Sequence, residues 1–226
     1  MPIFRLDQRL IFPPPHLAEA DGLLAVGGDL SPERLLLAYS MGIFPWYDRV
    51  PILWWSPDPR VILEPQRLHV SRRLARTVRA GKFIVTVDKA FREVIRLCAT
   101  VPRKDQGGTW ITAEMEKAYV LLFETGFAHS VECWQEDKLA GGIYGVCLGR
   151  CFFGESMFHR ETDASKVALV HLMDHLHRKG FAFLDCQLPS SHLVSLGARE
   201  IGRPEFLALM KKGGVTPGSH PPVPAF

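Results

Sequence analysis

The sequence predicts an α+β fold, and three features of its 226 residues favour that class. Short helices come early in the chain, separated by turns that glycine marks. A meander follows in the middle, with strand-like runs at residues 129–134, 139–148 and 150–153. An acidic turn at 135–138 indicates that the first two runs form a hairpin. A long helix and one further strand, which can return beside the meander, complete the pattern.

The first 60 residues are expected to form a small N-terminal domain. Ser31 is suited to cap a short helix with Pro32 at its first position, and Gly42 ends that helix. Residues 43–60 then hold four prolines and three tryptophans, a composition that disfavours regular helix. We therefore place a domain boundary near Arg60, with an N-terminal domain over residues 1–60 and a larger domain over residues 61–226.

Apolar periodicity predicts the helices and the remaining strands of the larger domain. Val70, Leu74 and Val78 recur every four residues and indicate a helix at 71–80. Further helices are expected to begin after Asp88, Thr112 and Asp163, and two more to lie at 191–196 and 204–212. The strands outside the meander are expected at 61–63, 83–87 and 181–187. Residues 103–109 are expected to be a polar loop, and the tail from residue 213 to be loose.

Composition excludes several classes of protein. Hydrophobic residues make up 47% and charged residues 23% of the chain, which is typical of a globular protein and not of a disordered one. No run approaches the ~18 apolar residues of a membrane span, and the start of the chain lacks a signal-peptide core. The five cysteines are scattered without a CxxC pair, which favours reduced thiols and a cytoplasmic location. His171 and His175 share a helix face without a third ligand, so no metal is expected.

Two polar groups stand out in apolar strands. Asp185 and Gln187 alternate with Phe183, which puts an acid and an amide on one side of a strand, where they suit holding an amine and a carbonyl together. The alternative is that Asp185 caps a turn and Gln187 lies on a rim. Glu155 lies between apolar neighbours and needs a partner if it is buried. The alternative is an exposed glutamate at a β-bulge.

Aromatic and basic residues indicate contact with nucleic acid. Tryptophans such as Trp46 and Trp110 can stack on a base, although most tryptophans pack in cores. The segment between Glu64 and Asp88 has no acid but six cations. Among them Arg72, Arg76 and Arg79 share one helix face, with Lys82 just beyond, and such a face can contact phosphates without reading a sequence. The alternative is a solvated arginine face.

At this point the chain resembles a known family, the leucyl/phenylalanyl-tRNA–protein transferases. The similarity covers residues 12–206 and rests on motifs in one order, namely GGDLSPERLLLAY, GIFPW, ILWWSPDPR, GTWIT, GESMF, ASK and LDCQ. The resemblance implies a small N-terminal domain packed on a domain of GCN5-related N-acetyltransferase topology. It implies transfer of Leu, Phe or Met from tRNA to an N-terminal Arg or Lys of a protein, which marks that protein for N-end rule degradation. It implies no cofactor, no membrane and a monomer.

The resemblance also assigns residues. Asp185 and Gln187 would be the catalytic pair, Glu155 would belong to the same site, and Trp46 and Trp110 would flank the 3′-terminal adenosine. The basic residues Arg72, Arg76, Arg79 and Lys82 suit the acceptor arm of the tRNA. The pocket for the aminoacyl side chain would be formed by Ile143, Phe152, Met157, Leu169, Leu172 and Leu176. Ile143 stands where the family pattern has methionine.

Two other functions compete with this interpretation. An acyl-CoA-dependent N-acetyltransferase needs a glycine-rich loop before the long helix to hold pyrophosphate, and residues 159–163 contain two acids and no glycine. A non-catalytic RNA-binding module would account for the arginines and tryptophans. It would leave Asp185, Gln187 and Glu155 without a role.

Overall fold

The computed structural model describes residues 3–101, 110–218 and 226. The predicted loop at 103–109 and most of the far tail therefore lie outside the described residues. Within them, no helix has both the length and the apolar character needed to cross a bilayer.

The N-terminal part is built on a four-stranded sheet. Its strands are β1 (Phe4–Leu6), β2 (Leu23–Gly27), β3 (Phe44–Pro45) and β4 (Leu53–Trp55), in the spatial order β1-β2-β4-β3. Helix α1 (Pro32–Ser40) connects β2 to β3. The Ser31 hydroxyl accepts the N–H of Arg34, and Gly42 follows the helix with a φ of +73°, so the predicted cap and stop are confirmed.

A seven-stranded sheet forms the larger part. Its strands are β5 (Arg60–Leu63), β6 (Ile84–Val87), β7 (Ala128–Gln135), β8 (Lys138–Leu148), β9 (Cys151–His159), β10 (Phe183–Gln187) and β11 (Arg199–Ile201). The spatial order is β11-β5-β10-β9-β8-β7-β6, and β9 and β10 are the one parallel pair among the described strands of this sheet. The long helix returns β10 beside β9, as the sequence predicts, and the α+β class is confirmed.

Helices cover both faces of this sheet. They are α2 (Arg72–Arg79), α3 (Phe91–Thr100), α4 (Ala113–Glu124), α5 (Ala164–Arg178), α6 (Ser191–Ser195) and α7 (Arg203–Lys212). One face packs against α5 and α2. The other face packs against α3, α4 and α7, and its core continues into α1 and the N-terminal sheet. Because this core is continuous, the division into domains near Arg60 stays a prediction.

Two predicted helix caps differ from the structure. The residue before α3 is Ala90, whereas Asp88 has a φ of +57° and accepts the N–H of Ser130 at 2.8 Å. Asp163 does precede α5, but its side chain makes no capping hydrogen bond and instead contacts Lys166 at 3.3 Å. Each carboxylate has a partner other than the backbone of its helix start, which the sequence pattern does not reveal.

Two strand boundaries and the packing of the tail also differ. Strand β9 extends to His159, well past the predicted end at 153, and β10 begins at Phe183 instead of 181. The tail is packed where it is described, because Val215 is buried beside α7 and the N–H of Gly218 donates to the Ser40 hydroxyl at 2.9 Å. Burial of Val215 orders a segment whose composition predicts a loose chain.

Close packing within the meander gives a testable prediction. Gly145 lies at a bulge in β8, and a Cβ there would stand 2.2 Å from the Phe153 carbonyl oxygen. We expect Gly145→Ala to lower the free energy of unfolding by about 3 kcal/mol, because such overpacking shifts backbone. The matched control is Gly202→Ala, whose Cβ would meet its nearest neighbour at 3.6 Å. Urea unfolding of both variants tests this, and equal losses would contradict it.

Candidate functional site

A cavity of about 250 Å³ opens where β9 and β10 part. The two strands pair only as far as Phe153 and Asp185, after which β9 continues alongside β8. One wall is apolar and consists of Ile143, Met157, Leu169 and Leu184, and the polar lining includes Glu155, Asp185, Gln187 and His192. The cavity therefore has the character of a small-molecule site, with an apolar hollow and a few converging polar groups.

Asp185 is fully buried in an ion pair. Its Oδ1 accepts Arg60 Nε at 2.9 Å and its Oδ2 accepts Arg60 Nη2 at 2.6 Å, while both side chains are at most 1% exposed. The remaining donor, Arg60 Nη1, lies 3.2 Å from the Gly42 carbonyl oxygen. The guanidinium is also held between aromatic rings, 4.7 Å from the centroids of Phe44 and Phe206. The pair thus joins β10 to β5, to the end of α1 and to α7.

Gln187 follows Asp185 in a strained backbone conformation. Its φ is +56°, a region that residues other than glycine rarely adopt, and the pairing register of β10 with β5 shifts between 185 and 187. The Gln187 N–H donates to Asp185 Oδ1 at 3.0 Å. A left-handed glutamine costs ~1–3 kcal/mol, so the buried carboxylate holds the turn that brings Gln187 to the cavity.

Glu155 is hydrogen-bonded to two tyrosines. Its Oε1 accepts the Tyr39 hydroxyl at 2.7 Å, its Oε2 accepts the Tyr119 hydroxyl at 3.0 Å, and the two hydroxyl oxygens are 2.5 Å apart. Desolvation raises the pKa of Glu155 to about 7, with nearby Asp185 adding to the rise and the tyrosine hydrogen bonds opposing it. This carboxyl therefore exchanges its proton near neutral pH.

Three of the six residues predicted for the aminoacyl pocket line the cavity, and the other three are buried behind it. Ile143, Met157 and Leu169 line the cavity. Phe152, Leu172 and Leu176 are buried in the same core without lining it. They form the packed layer beneath the hollow, and their predicted contact with a substrate stays a prediction.

Cys186 lies between Asp185 and Gln187 and faces the same cavity. Simple alternation places it opposite Asp185 and Gln187, but it also lines the cavity, because it is the extra residue at the register shift. Burial raises the pKa of its thiol well above the usual range. The thiol is therefore protonated and a poor nucleophile.

The predicted stacking residues lie outside the cavity lining. The ring of Trp46 is 40% exposed and stands edge-on to Trp55, with centroids 5.6 Å apart. Trp110 is half-buried and packs against the core on the α3 and α4 side. The structure does not bring these two tryptophans together with Asp185 and Gln187, and their role stays a prediction.

Helix α2 presents its arginines to solvent. Arg72, Arg76 and Arg79 form no ion pair with any described residue. Lys82 lies 3.4 Å from Glu161, so part of its charge is already matched. Three unpaired guanidinium groups on one helix leave a cationic face, as the spacing predicts.

Sequence reasoning missed the three residues that hold the two buried carboxylates. Arg60 appears in the sequence analysis only as a boundary marker, and Tyr39 and Tyr119 fall in predicted helices without a sign of what their hydroxyls meet. Their partners lie 125, 116 and 36 residues away along the chain. The one available signal was that a buried Asp185 and a buried Glu155 each require a partner.

Most of the chain matches a known protein family. The family described as "Leucyl/phenylalanyl-tRNA protein transferase" matches residues 62–211, and the N-terminal domain of the same family matches residues 28–58. A relative from Syntrophotalea carbinolica, named leucyl/phenylalanyl-tRNA–protein transferase, is 58% identical, with coverage of 98% of this chain and 97% of the relative. A relative of the same name from Syntrophobacter fumaroxidans is 61% identical, with coverage of 93% and 90%.

Similarity to solved structures is much lower. A conserved protein of unknown function from Staphylococcus epidermidis has a TM-score of 0.45 and 7% identity, covering 80% of this chain and 68% of that protein. A GCN5-related N-acetyltransferase from Kribbella flavida has a TM-score of 0.39 and 10% identity, covering 71% and 57%. At these scores we draw no functional conclusion from the likeness.

The buried ion pair predicts unequal effects of two aspartate substitutions. Asp185→Ala leaves the Arg60 guanidinium buried without its partner, which should lower the free energy of unfolding by about 3–5 kcal/mol. The control is Asp174→Ala, which removes a surface pair with Arg178 whose side chains are 60% and 67% exposed. That loss should stay below about 1 kcal/mol. Urea unfolding measures both, and a loss for Asp185→Ala no larger than the control would refute the structural role.

Proposed function

Because the chain belongs to the leucyl/phenylalanyl-tRNA–protein transferase family, and is therefore an aminoacyltransferase, we propose that its cavity holds the amino acid carried by a charged tRNA. That amino acid is leucine, phenylalanine or methionine. The acceptor is the α-amine of a protein that begins with Arg or Lys. The observation that carries this proposal is an apolar hollow whose polar lining includes Glu155, Asp185 and Gln187.

The size of the cavity supports an apolar side chain of this kind. Its volume of about 250 Å³ exceeds the ~150 Å³ of an engineered cavity that binds benzene. Ile143, Met157 and Leu169 supply apolar walls. Transfer of a leucine, methionine or phenylalanine side chain from water to such a wall is favourable, and transfer of a charged side chain is not.

Charge supports a cationic acceptor. The charge of Asp185 is matched by Arg60, which leaves Glu155 as the carboxyl of the cavity lining without a cationic hydrogen-bond partner among the described residues. A protein N-terminus carries its own charge, and an N-terminal Arg or Lys adds a second. An acidic group beside the hollow favours both.

Alignment of the two substrates is the main task of the site. An aminoacyl ester is already activated, and an α-amine has a pKa of ~7.7–8.0, so no covalent enzyme intermediate is needed. Correct orientation alone can lower a barrier by ~7–11 kcal/mol. In this proposal Gln187 holds the carbonyl or the amine, and Asp185 fixes the strained turn that aims it. This gives both predicted catalytic residues a role.

The tRNA is held outside the hollow. We assign the 3′-terminal adenosine to Trp46 and Trp110, on the strength of the family motifs. We assign the phosphates of the acceptor arm to Arg72, Arg76 and Arg79 of α2 and to Lys82. Phosphate binding requires cationic side chains but no contacts with the bases. The product of the transfer is a protein marked for N-end rule degradation in the cytoplasm, and the enzyme acts as a monomer.

The cationic face of α2 gives a salt-dependent prediction. The double variant Arg76→Ala, Arg79→Ala should bind charged tRNA more weakly, and the slope of log affinity against log salt should fall by about 0.7–0.9 for each phosphate that is no longer neutralised. The control is Arg178→Ala, an arginine already paired with Asp174. Filter binding at several salt concentrations measures the slope, and an unchanged slope would exclude this face from tRNA binding.

One assay separates the three candidate functions. Labelled leucyl-tRNA and a peptide that begins with Arg are incubated with the protein, beside a parallel tube that contains acetyl-CoA in place of tRNA. Label on the peptide from tRNA supports the proposed transfer. Acetylation supports an acyl-CoA-dependent N-acetyltransferase, and RNA retention without product supports a binding module.

A further inference from the structure

The ring of Phe226 packs among four other rings. Its centroid lies 4.2 Å from that of His129, with the planes at 18°, and 5.6 Å from that of Phe152, with the planes at 25°. His175 and Phe181 complete the group, with centroids at 4.6 and 6.5 Å. These four partners, which we call the aromatic socket, come from β7, β9, α5 and the segment before β10.

The aromatic socket is held in place by its own contacts. His129 is buried, and its Nδ1 lies 2.7 Å from Asp88 Oδ2, while Asp88 Oδ1 accepts the N–H of Ser130 at 2.8 Å. Phe152 is 1% exposed. Stacked and edge-on rings at such separations attract one another beyond the burial of their area. Phe226 therefore has a defined seat, in a tail whose composition predicts a loose chain.

Two glycines leave a space beside the aromatic socket that neighbouring side chains fill. Gly145 of β8 pairs with Gly154 of β9. A Cβ on Gly145 would overlap the ring of Phe152, and a Cβ on Gly154 would stand 3.1 Å from Leu184 Cδ1. The Phe152 ring and the Leu184 side chain therefore occupy the volume that the two glycines do not use.

This packing places Phe152 directly behind the apolar wall of the cavity. Ile143 and Leu184 line the cavity, and Phe152 pairs with Leu184 across β9 and β10. Gly145, which the Phe152 ring covers, follows Ile143 by two residues on β8, so both face the same side of the sheet. Side chains on one face of paired strands are neighbours. If the Phe152 ring moved away, the space above Gly145 would join the cavity.

We propose that Phe226 is a positioning residue that limits the depth of the cavity for the aminoacyl side chain. The inference rests on the proposed function, because it concerns the amino acid that the tRNA carries. Phe226 stacks on Phe152 and on His129 of β7, and it lies outside the cavity lining. With Phe226 in its seat, the space into which the Phe152 ring could turn is occupied, and that ring stays over Gly145.

The depth of the cavity decides between amino acids of different size. Leucine and phenylalanine are both apolar, so a pocket distinguishes them by the volume and shape that it offers. Without the ring of Phe226, Phe152 gains the vacated part of the aromatic socket, and the cavity gains the space above Gly145. A phenylalanine side chain fills that extra space, whereas leucine leaves a void whose walls lose their contacts.

The test measures the ratio of kcat/KM for phenylalanyl-tRNA to kcat/KM for leucyl-tRNA. The two amino acids carry different labels and compete in one tube for a peptide that begins with Arg. We expect Phe226→Ala to raise this ratio about fivefold. Phe226→Leu, which refills much of the seat, should stay within about twofold of wild type. The control is Phe12→Ala, which removes a half-buried ring that packs 4.8 Å from Trp54 of β4 and should leave the ratio unchanged.

The ratio separates positioning from a purely structural role. Loss of stability lowers the active fraction and reduces both transfers equally, so an unchanged ratio in Phe226→Ala overturns the proposal. If Phe226→Ala does not fold, Phe226→Val is measured in its place, and an unchanged ratio there overturns it equally. If the wild-type protein transfers neither amino acid, the proposed function fails and this inference fails with it.

A double-mutant cycle tests the route through Phe152. Phe152→Leu removes the ring over Gly145 and should itself change the ratio. In that background, Phe226→Ala should change the ratio by less than about twofold, because the ring that Phe226 holds is already absent. If Phe152→Leu does not fold, Phe152→Met replaces it. Two full effects that multiply would show that Phe226 does not act through Phe152 and would overturn the proposal.

Discussion

The buried pair of Arg60 and Asp185 is the constraint on which the site depends. A charge taken out of water requires a partner with good geometry, and here two hydrogen bonds supply it. The same carboxylate accepts the backbone N–H of Gln187, so one ion pair fixes both the join between β5 and β10 and the turn that follows. The strain of a left-handed glutamine is tolerated because this pair over-determines it.

The second constraint is the shape of the sheet. Strands β9 and β10 run parallel and then separate, and this leaves a gap that side chains from β8, β9 and α5 line with apolar groups. The buried polar groups of the gap are held by adjacent elements, as α1 and α4 do for Glu155 and β5 does for Asp185. The same strands therefore supply both the apolar wall and the polar groups of the cavity.

Local pattern was sufficient for much of the fold. The cap at Ser31, the helix that begins after Thr112 and the hairpin after β7 depend on neighbours a few residues apart, and the structure has them as predicted. The partner of Asp185 could not be derived in this way, because Arg60 lies 125 residues earlier and only the paired sheet brings them together. The contacts of Tyr39 and Tyr119 with Glu155 could not be derived for the same reason. The apolar stripe of a helix predicts that a tyrosine faces inward. It does not predict which group its hydroxyl will contact.

The hydrogen bond from Tyr39 to Glu155 joins an early part of the chain to a late one. This hydroxyl arrives from α1, in the part of the chain that is made first, whereas Glu155 and Asp185 arrive much later. A nascent or cleaved polypeptide that lacks either portion holds an incomplete set of oxygens. The hydrogen bonds around Glu155 thus form only when both portions of the chain are present and packed together.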